Sequence, residues 1–298
     1  MVEGDRVAGD REARDRGAGD RGAGESVNTG RAAPTHGIDA LPPAEIAHRA
    51  EEVGVRKARG DLLSTFLLAV LAGAFITLGA MLCFVVMAES GLGAGPTRLL
   101  GGLSFSLGLV LVVLAGAELF TGNNLIAMAW ASGRIGGVEL VRSWIVVYLG
   151  NVIGCGVTAV LLKLAGAASI APGVAEGVLS AARAKSSLPW VEALSRGVLC
   201  NALVCLAIWI ALGARSATDK VIAVAIPVAA FVALGFEHVI ANWGIFALAR
   251  LIDPQAIETG PAMTALAAVT VGNVIGGTLL VGAVYWLIYL RPQRRGAR

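Results

Sequence analysis

Charge is what this chain has least of. Only 15% of its residues are Asp, Glu, Lys or Arg, 56% are hydrophobic, and the mean hydropathy is +0.74. That balance excludes a soluble domain of this size. The basic residues are spread over loops and tails and form no stripe, which removes nucleic acid as a partner. The four cysteines, Cys83, Cys155, Cys200 and Cys205, lie in apolar runs without a Cys-x-x-Cys spacing, so neither a disulfide framework nor a zinc site is implied. Histidine is scarcer still. His36 and His48 precede the first apolar run, which leaves His238 alone. With no His pair, no nucleotide-binding glycine loop and no Ser-His-Asp set, the chain is not expected to be an enzyme or to carry a cofactor.

What is present in quantity is uncharged sequence. Residues 62–88, 99–117, 143–162, 197–214, 221–236 and 259–290 contain no ionisable Asp, Glu, Lys, Arg or His. A membrane-crossing helix needs about 20 apolar residues, so these runs predict an all-α polytopic membrane protein with six transmembrane helices. Residues 1–45, rich in Gly, Asp, Arg and Ala, have no apolar periodicity and no signal-peptide core, and are expected to be a disordered cytoplasmic tail. Residues 46–298 then form the transmembrane transport domain, and residues 42–61 read as an amphipathic helix lying at the membrane surface before the first span.

Two interruptions organise that domain. Gly116-Ala117-Glu118 through Asn123 and Gly235-Phe236-Glu237 through Asn242 share the pattern G-x-E-x-x-x-x-N, with Glu118 and Glu237 separated by 119 positions. Gly150-Asn151-Val152-Ile153-Gly154 recurs as Gly272-Asn273-Val274-Ile275-Gly276, 122 positions on. Two motifs in the same order predict two related halves. Each interruption sits in a stretch too long for one crossing and too short for two: residues 99–133 as continuous helix would measure about 52 Å. A break in the second and fifth spans resolves this, and non-helical backbone at that depth must line a cavity or be buried in protein. Three spans per half make the second half an inverted copy, a 3+3 layout found in transport proteins. Near the spans, twelve Lys and Arg from Arg49 to Arg298 fall on the side of the termini. Six fall opposite, Arg98, Lys163, Arg183, Lys185, Arg196 and Arg250, which predicts cytoplasmic termini in a cell membrane.

AELFTGN, GNVIG twice, RGVLCNALVCLAIW and GFEHVIANW, in this order, resemble the signatures of the formate/nitrite transporter family over about residues 55 to 290. The resemblance implies an aquaporin-like six-helix protomer, a homopentamer, and a separate path in each protomer for small monovalent anions such as formate or nitrite. It places the central histidine on His238, the threonine of the broken second helix on Thr121, the facing asparagine on Asn201 and an anion-attracting lysine, in the loop before the fourth helix, on Lys185. The pore constrictions fall on Phe105, Leu109, Leu119 and Phe231.

The residues themselves support part of this. His238 is the one group at depth whose charge changes near neutral pH, so an anion passing it meets a partner for its charge or a source of protons. Glu118 and Glu237 are expected to be structural, accepting from backbone N–H groups freed by the breaks. Thr121 and Asn201 fit a helix cap and an interhelical bond as well as a pathway. An aquaporin-like channel for water or small neutral solutes is the alternative, although the chain has neither an Asn-Pro-Ala pair nor an arginine filter.

Overall fold

Helix α2 begins where the sequence supplies a cap: the Asp61 carboxylate accepts from the Ser64 N–H at 2.9 Å, and the uncharged Leu62–Met87 follows. A computed structural model describes residues 39–292, which form helices and connecting turns. In order these are α1 (Pro43–Ala58), α2 (Leu62–Met87), α3 (Ala94–Ala115), a 3-10 turn (Gly122–Ile126), α4 (Ala127–Ala131), α5 (Gly137–Leu164), α6 (Val174–Ser186), α7 (Trp190–Gly213), α8 (Ala217–Ala233), α9 (Val239–Ile252) and α10 (Thr259–Ile275). Beyond α10 the helix continues with the wider π spacing over Gly276–Ala283 and Trp286–Leu290. Among the described residues five helices are long and apolar enough to cross a membrane: Leu62–Met87, Ala94–Ala115, Gly137–Leu164, Trp190–Gly213 and Thr259–Leu290. Residues 221–249 are instead covered by α8 and the 14-residue α9.

The outward faces are leucine-rich. Leu63, Leu67 and Leu71 on α2, like Ile145, Leu149 and Ile153 on α5, are about half exposed, a surface matched to lipid or to another protomer. Inside, small residues let the helices close up. A Cβ on Gly154 of α5 would fall on the Val70 carbonyl of α2, and one on Gly276 would fall on the Val198 carbonyl of α7. The chain is a multi-pass membrane protein.

Two features bear on the sequence reading. Helix α1, Pro43–Ala58, falls within the amphipathic stretch read over residues 42–61 and takes in residues 43–45 of the stretch read as tail, and its N-terminal approach is anchored: Leu41 N–H donates to the Gly213 carbonyl at 2.9 Å, and Ile46 and Ala47 are buried. Residues 1–38 of that tail lie outside the described residues. The second is α6, in a region read as loop. Val174, Val178 and Ala182, spaced by four, bury one face of it, the shortest pattern that marks an amphipathic helix.

Candidate functional site

Helical bonding stops at Gly116 and Gly235, both left-handed with φ of 78° and 73°, a conformation that costs a side-chain-bearing residue about 1 kcal/mol or more. Past each glycine the chain runs without helix for several residues, and one asparagine of a later helix takes up two of its polar backbone groups. Asn151 of α5 accepts from Phe120 N–H at 2.9 Å and donates to the Glu118 and Ala69 carbonyls. Asn273 of α10 accepts from Val239 N–H at 2.9 Å and donates to the Glu237 and Gly197 carbonyls. The Glu118 N–H reaches the Leu68 carbonyl and the Glu237 N–H the Arg196 carbonyl, at 3.2 and 3.3 Å. Both asparagines sit inside the repeated G-N-V-I-G motif.

The two glutamates therefore have a different task from the one expected. Lys57 Nζ donates to Glu118 at 2.8 Å and to Asn123 Oδ1 at 3.0 Å, and Asn123 Nδ2 donates to the same Glu118 oxygen at 2.7 Å. Lys185 Nζ donates to both oxygens of Glu237 at 2.9 and 3.0 Å, and Asn242 Nδ2 donates to Glu237 at 2.8 Å. Since the asparagines and the Leu68 and Arg196 carbonyls take these N–H groups, the carboxylates are left to hold lysines. The last residue of the G-x-E-x-x-x-x-N pattern was the signal: that Asn closes onto its own Glu. Lys57 was missed as a site residue. Lys185, expected in a loop, stands in the last turn of α6, and its charge is largely committed to a carboxylate that is 3% exposed.

A cavity of about 370 Å³ opens beside this second cluster, lined by Lys185, Glu237 and Asn242 and floored by His238, Phe105 and Phe231. The Phe105 and Phe231 rings meet edge-on at 5.8 Å between centroids, and Phe231 stacks on the His238 ring at 6.1 Å. A second cavity of about 200 Å³ is lined by Lys57, Glu118 and Asn123, with Leu119 in its wall. Leu109 is buried and lines neither cavity. Between the two cavities Thr121 Oγ1 lies 2.9 Å from His238 Nε2.

Hydrogen-bond logic fixes the proton on that ring. Ala241 N–H donates to His238 Nδ1 at 3.1 Å, capping α9, so in the neutral ring Nδ1 carries the lone pair and Nε2–H donates to Thr121 Oγ1. A second proton has to land on Nδ1, where it displaces the cap. Asn201 does not touch the ring. Its amide nitrogen lies 2.7 Å from Asn124 Oδ1, 2.6 Å from the Asn273 carbonyl and 3.3 Å from the Thr121 carbonyl, holding the first break from behind.

A family model for the formate/nitrite transporter matches residues 44–287. The chain belongs to the formate/nitrite transporter family. It is 42% identical to the formate channel FocA of Escherichia coli K12 over 277 residues, covering 86% of this chain and 96% of that one. It is 36% identical to the formate channel FocA of Haemophilus influenzae, covering 82% and 93%. Among solved structures it resembles a pentameric formate channel with formate bound, at a TM-score of 0.71 and 38% identity over 77% of this chain and 98% of the other. It also resembles an ion channel of this family at a TM-score of 0.76 and 30% identity, covering 82% and 98%. The family is one of transporters, and the match spans both cavities and every residue of the two breaks from Lys57 to Asn273.

Proposed function

We propose that this formate/nitrite transporter passes small monovalent weak-acid anions, formate and nitrite among them, along a path within each protomer. The path runs from the Lys185 cavity past His238 and Thr121 to the Lys57 cavity. The Thr121–His238 bond between two cavities, each with a lysine at its wall, is the observation that carries this reading. The fold it assumes is an inverted 3+3 repeat with broken second and fifth spans, assembled as a homopentamer in the cell membrane with both termini cytoplasmic. Recurrence of the same asparagine, glutamate and lysine bonds in both halves supports the repeat, and the pentameric relative supports the assembly.

An unpaired anion in an apolar constriction costs several kcal/mol even after relaxation. Phe105, Phe231, Leu109 and Leu119 form that constriction, and the charge is met there by Nε2–H of His238, which turns from Thr121 Oγ1 to the anion as water is shed. Protonation at Nδ1 releases Ala241 N–H and loosens the first turn of α9, which ties the proton to the state of the path.

The test is uptake into proteoliposomes with purified protein. Formate and nitrite flux should exceed osmotic water flow attributable to the protein, and water flow without anion flux would favour the aquaporin-like reading. His238→Phe keeps an aromatic of similar shape and should leave the oligomer intact while pH-dependent anion uptake collapses. His238→Asn retaining both the wild-type rate and the wild-type pH dependence would remove the histidine from the mechanism.

A further inference from the structure

The two halves repeat their backbone bonds but not their charge. Leu68 and Arg196 offer equivalent carbonyls to Glu118 and Glu237, yet one side chain is apolar and the other is a guanidinium. At Gly116 an added Cβ would meet nothing within 4 Å. At Gly235 it would meet two cations, Arg98 Nη2 at 3.6 Å and Arg196 Nη1 at 3.9 Å. Both arginines line the cavity floored by His238.

Pairing separates the cations of this cavity. Lys185 is held by Glu237, and Arg196 by Glu192 of its own helix and by the Gly235 carbonyl. Arg98, exposed in the second turn of α3, has no carboxylate partner among the described residues. The other cavity has only Lys57 and Glu118 as charged lining, and they are paired. The positive surplus is therefore one-sided, and it converges on a glycine whose missing side chain keeps the space open.

We propose that Arg98, with Arg196, forms an outer binding site for the carboxylate or oxyanion above Gly235. Arg98 supplies the uncompensated charge that draws anions into the His238 cavity. This rests on the anion-transport reading and deepens it. The site replaces Lys185 as the main attractor, since a lysine neutralised by a buried carboxylate adds little field at the mouth. The guanidinium fork of Arg98, free of a carboxylate, also suits a planar carboxylate better than an ammonium does, and Arg196, held in place by Glu192 and the Gly235 carbonyl, adds a second cation beside it.

The test uses a cysteine at Ala184, an exposed position on the same cavity, in a Cys83→Ala background in which the other three native cysteines are buried. Modification rates with an anionic and a cationic methanethiosulfonate are compared in the intact oligomer. Arg98→Gln should lower the anionic-to-cationic rate ratio by at least about threefold, Arg98→Lys should largely preserve it, and high salt should compress the difference. In parallel, Arg98→Gln should raise the formate concentration for half-maximal current with little change in the maximum. A ratio unaffected by Arg98→Gln overturns the proposal, and so does a loss of maximal current with unchanged half-saturation. If the wild type takes up no formate into proteoliposomes, the transport reading fails, while the modification ratio still reports whether Arg98 sets the field.

Discussion

Glu237 and Lys185 show why a residue's type is easier to read than its partner. Both were legible as candidates, one as an acid inside an apolar run and one through the family pattern, but their separation by 52 positions hides the bond from any local pattern. Once paired, their substitution has a different meaning. Lys185→Met leaves a carboxylate that is 3% exposed without its cation, which should destabilise the protein by about 3 kcal/mol, while Lys185→Met with Glu237→Gln should recover much of that loss. Thermal unfolding of the detergent-solubilised oligomer measures both. Equal destabilisation by the single and double variants would mean that the stranded carboxylate is not the source of the loss. His238 was legible for the opposite reason: a lone histidine among uncharged residues needs no partner to stand out. Its tautomer was not, because that depends on the Ala241 N–H three residues on adopting the first turn of a helix.

Among the elements, the interruptions were readable because two stretches were too long for one helix and carried the same motif. What bridges them was not. Asn151 and Asn273 lie 33 and 36 residues from the Glu118 and Glu237 carbonyls they bind, and only the fold brings them back. Each satisfies one buried N–H and two buried carbonyls, groups that cost about 1 to 3 kcal/mol apiece when left alone. Asn273→Leu, close in volume but without hydrogen-bonding atoms, should therefore lose several kcal/mol and yield little monodisperse protein. Where protein survives, amide exchange should accelerate at Glu237 and Val239 before the rest of α9. Unchanged yield and exchange would show that the second break holds itself. Helix α6 was missed because thirteen residues with one buried stripe give a weak periodic signal, and the π spacing from Gly276 leaves no mark in composition.

At the scale of the whole molecule, the contacts before α1 bear on where the proposed tail ends. The family match begins at residue 44 and α1 at Pro43, but the segment before them is already attached: Arg215 Nε donates to the Asp39 carbonyl at 3.2 Å and Leu41 N–H to Gly213 at 2.9 Å. Those bonds fasten α1 to the end of α7, and α1 in turn presents Lys57 to Glu118 at the mouth of the second cavity. A cut after residue 38 leaves this chain of contacts whole, whereas a cut after residue 42 removes both anchors. Deleting 2–38 should therefore give the same oligomer mass by light scattering and formate flux within about twofold of the full chain. Deleting 2–42 should assemble too but melt several degrees lower, with weaker formate flux than the full chain. If the shorter deletion already breaks up the oligomer, residues 2–38 contribute to assembly, and the domain boundary belongs further toward the N-terminus.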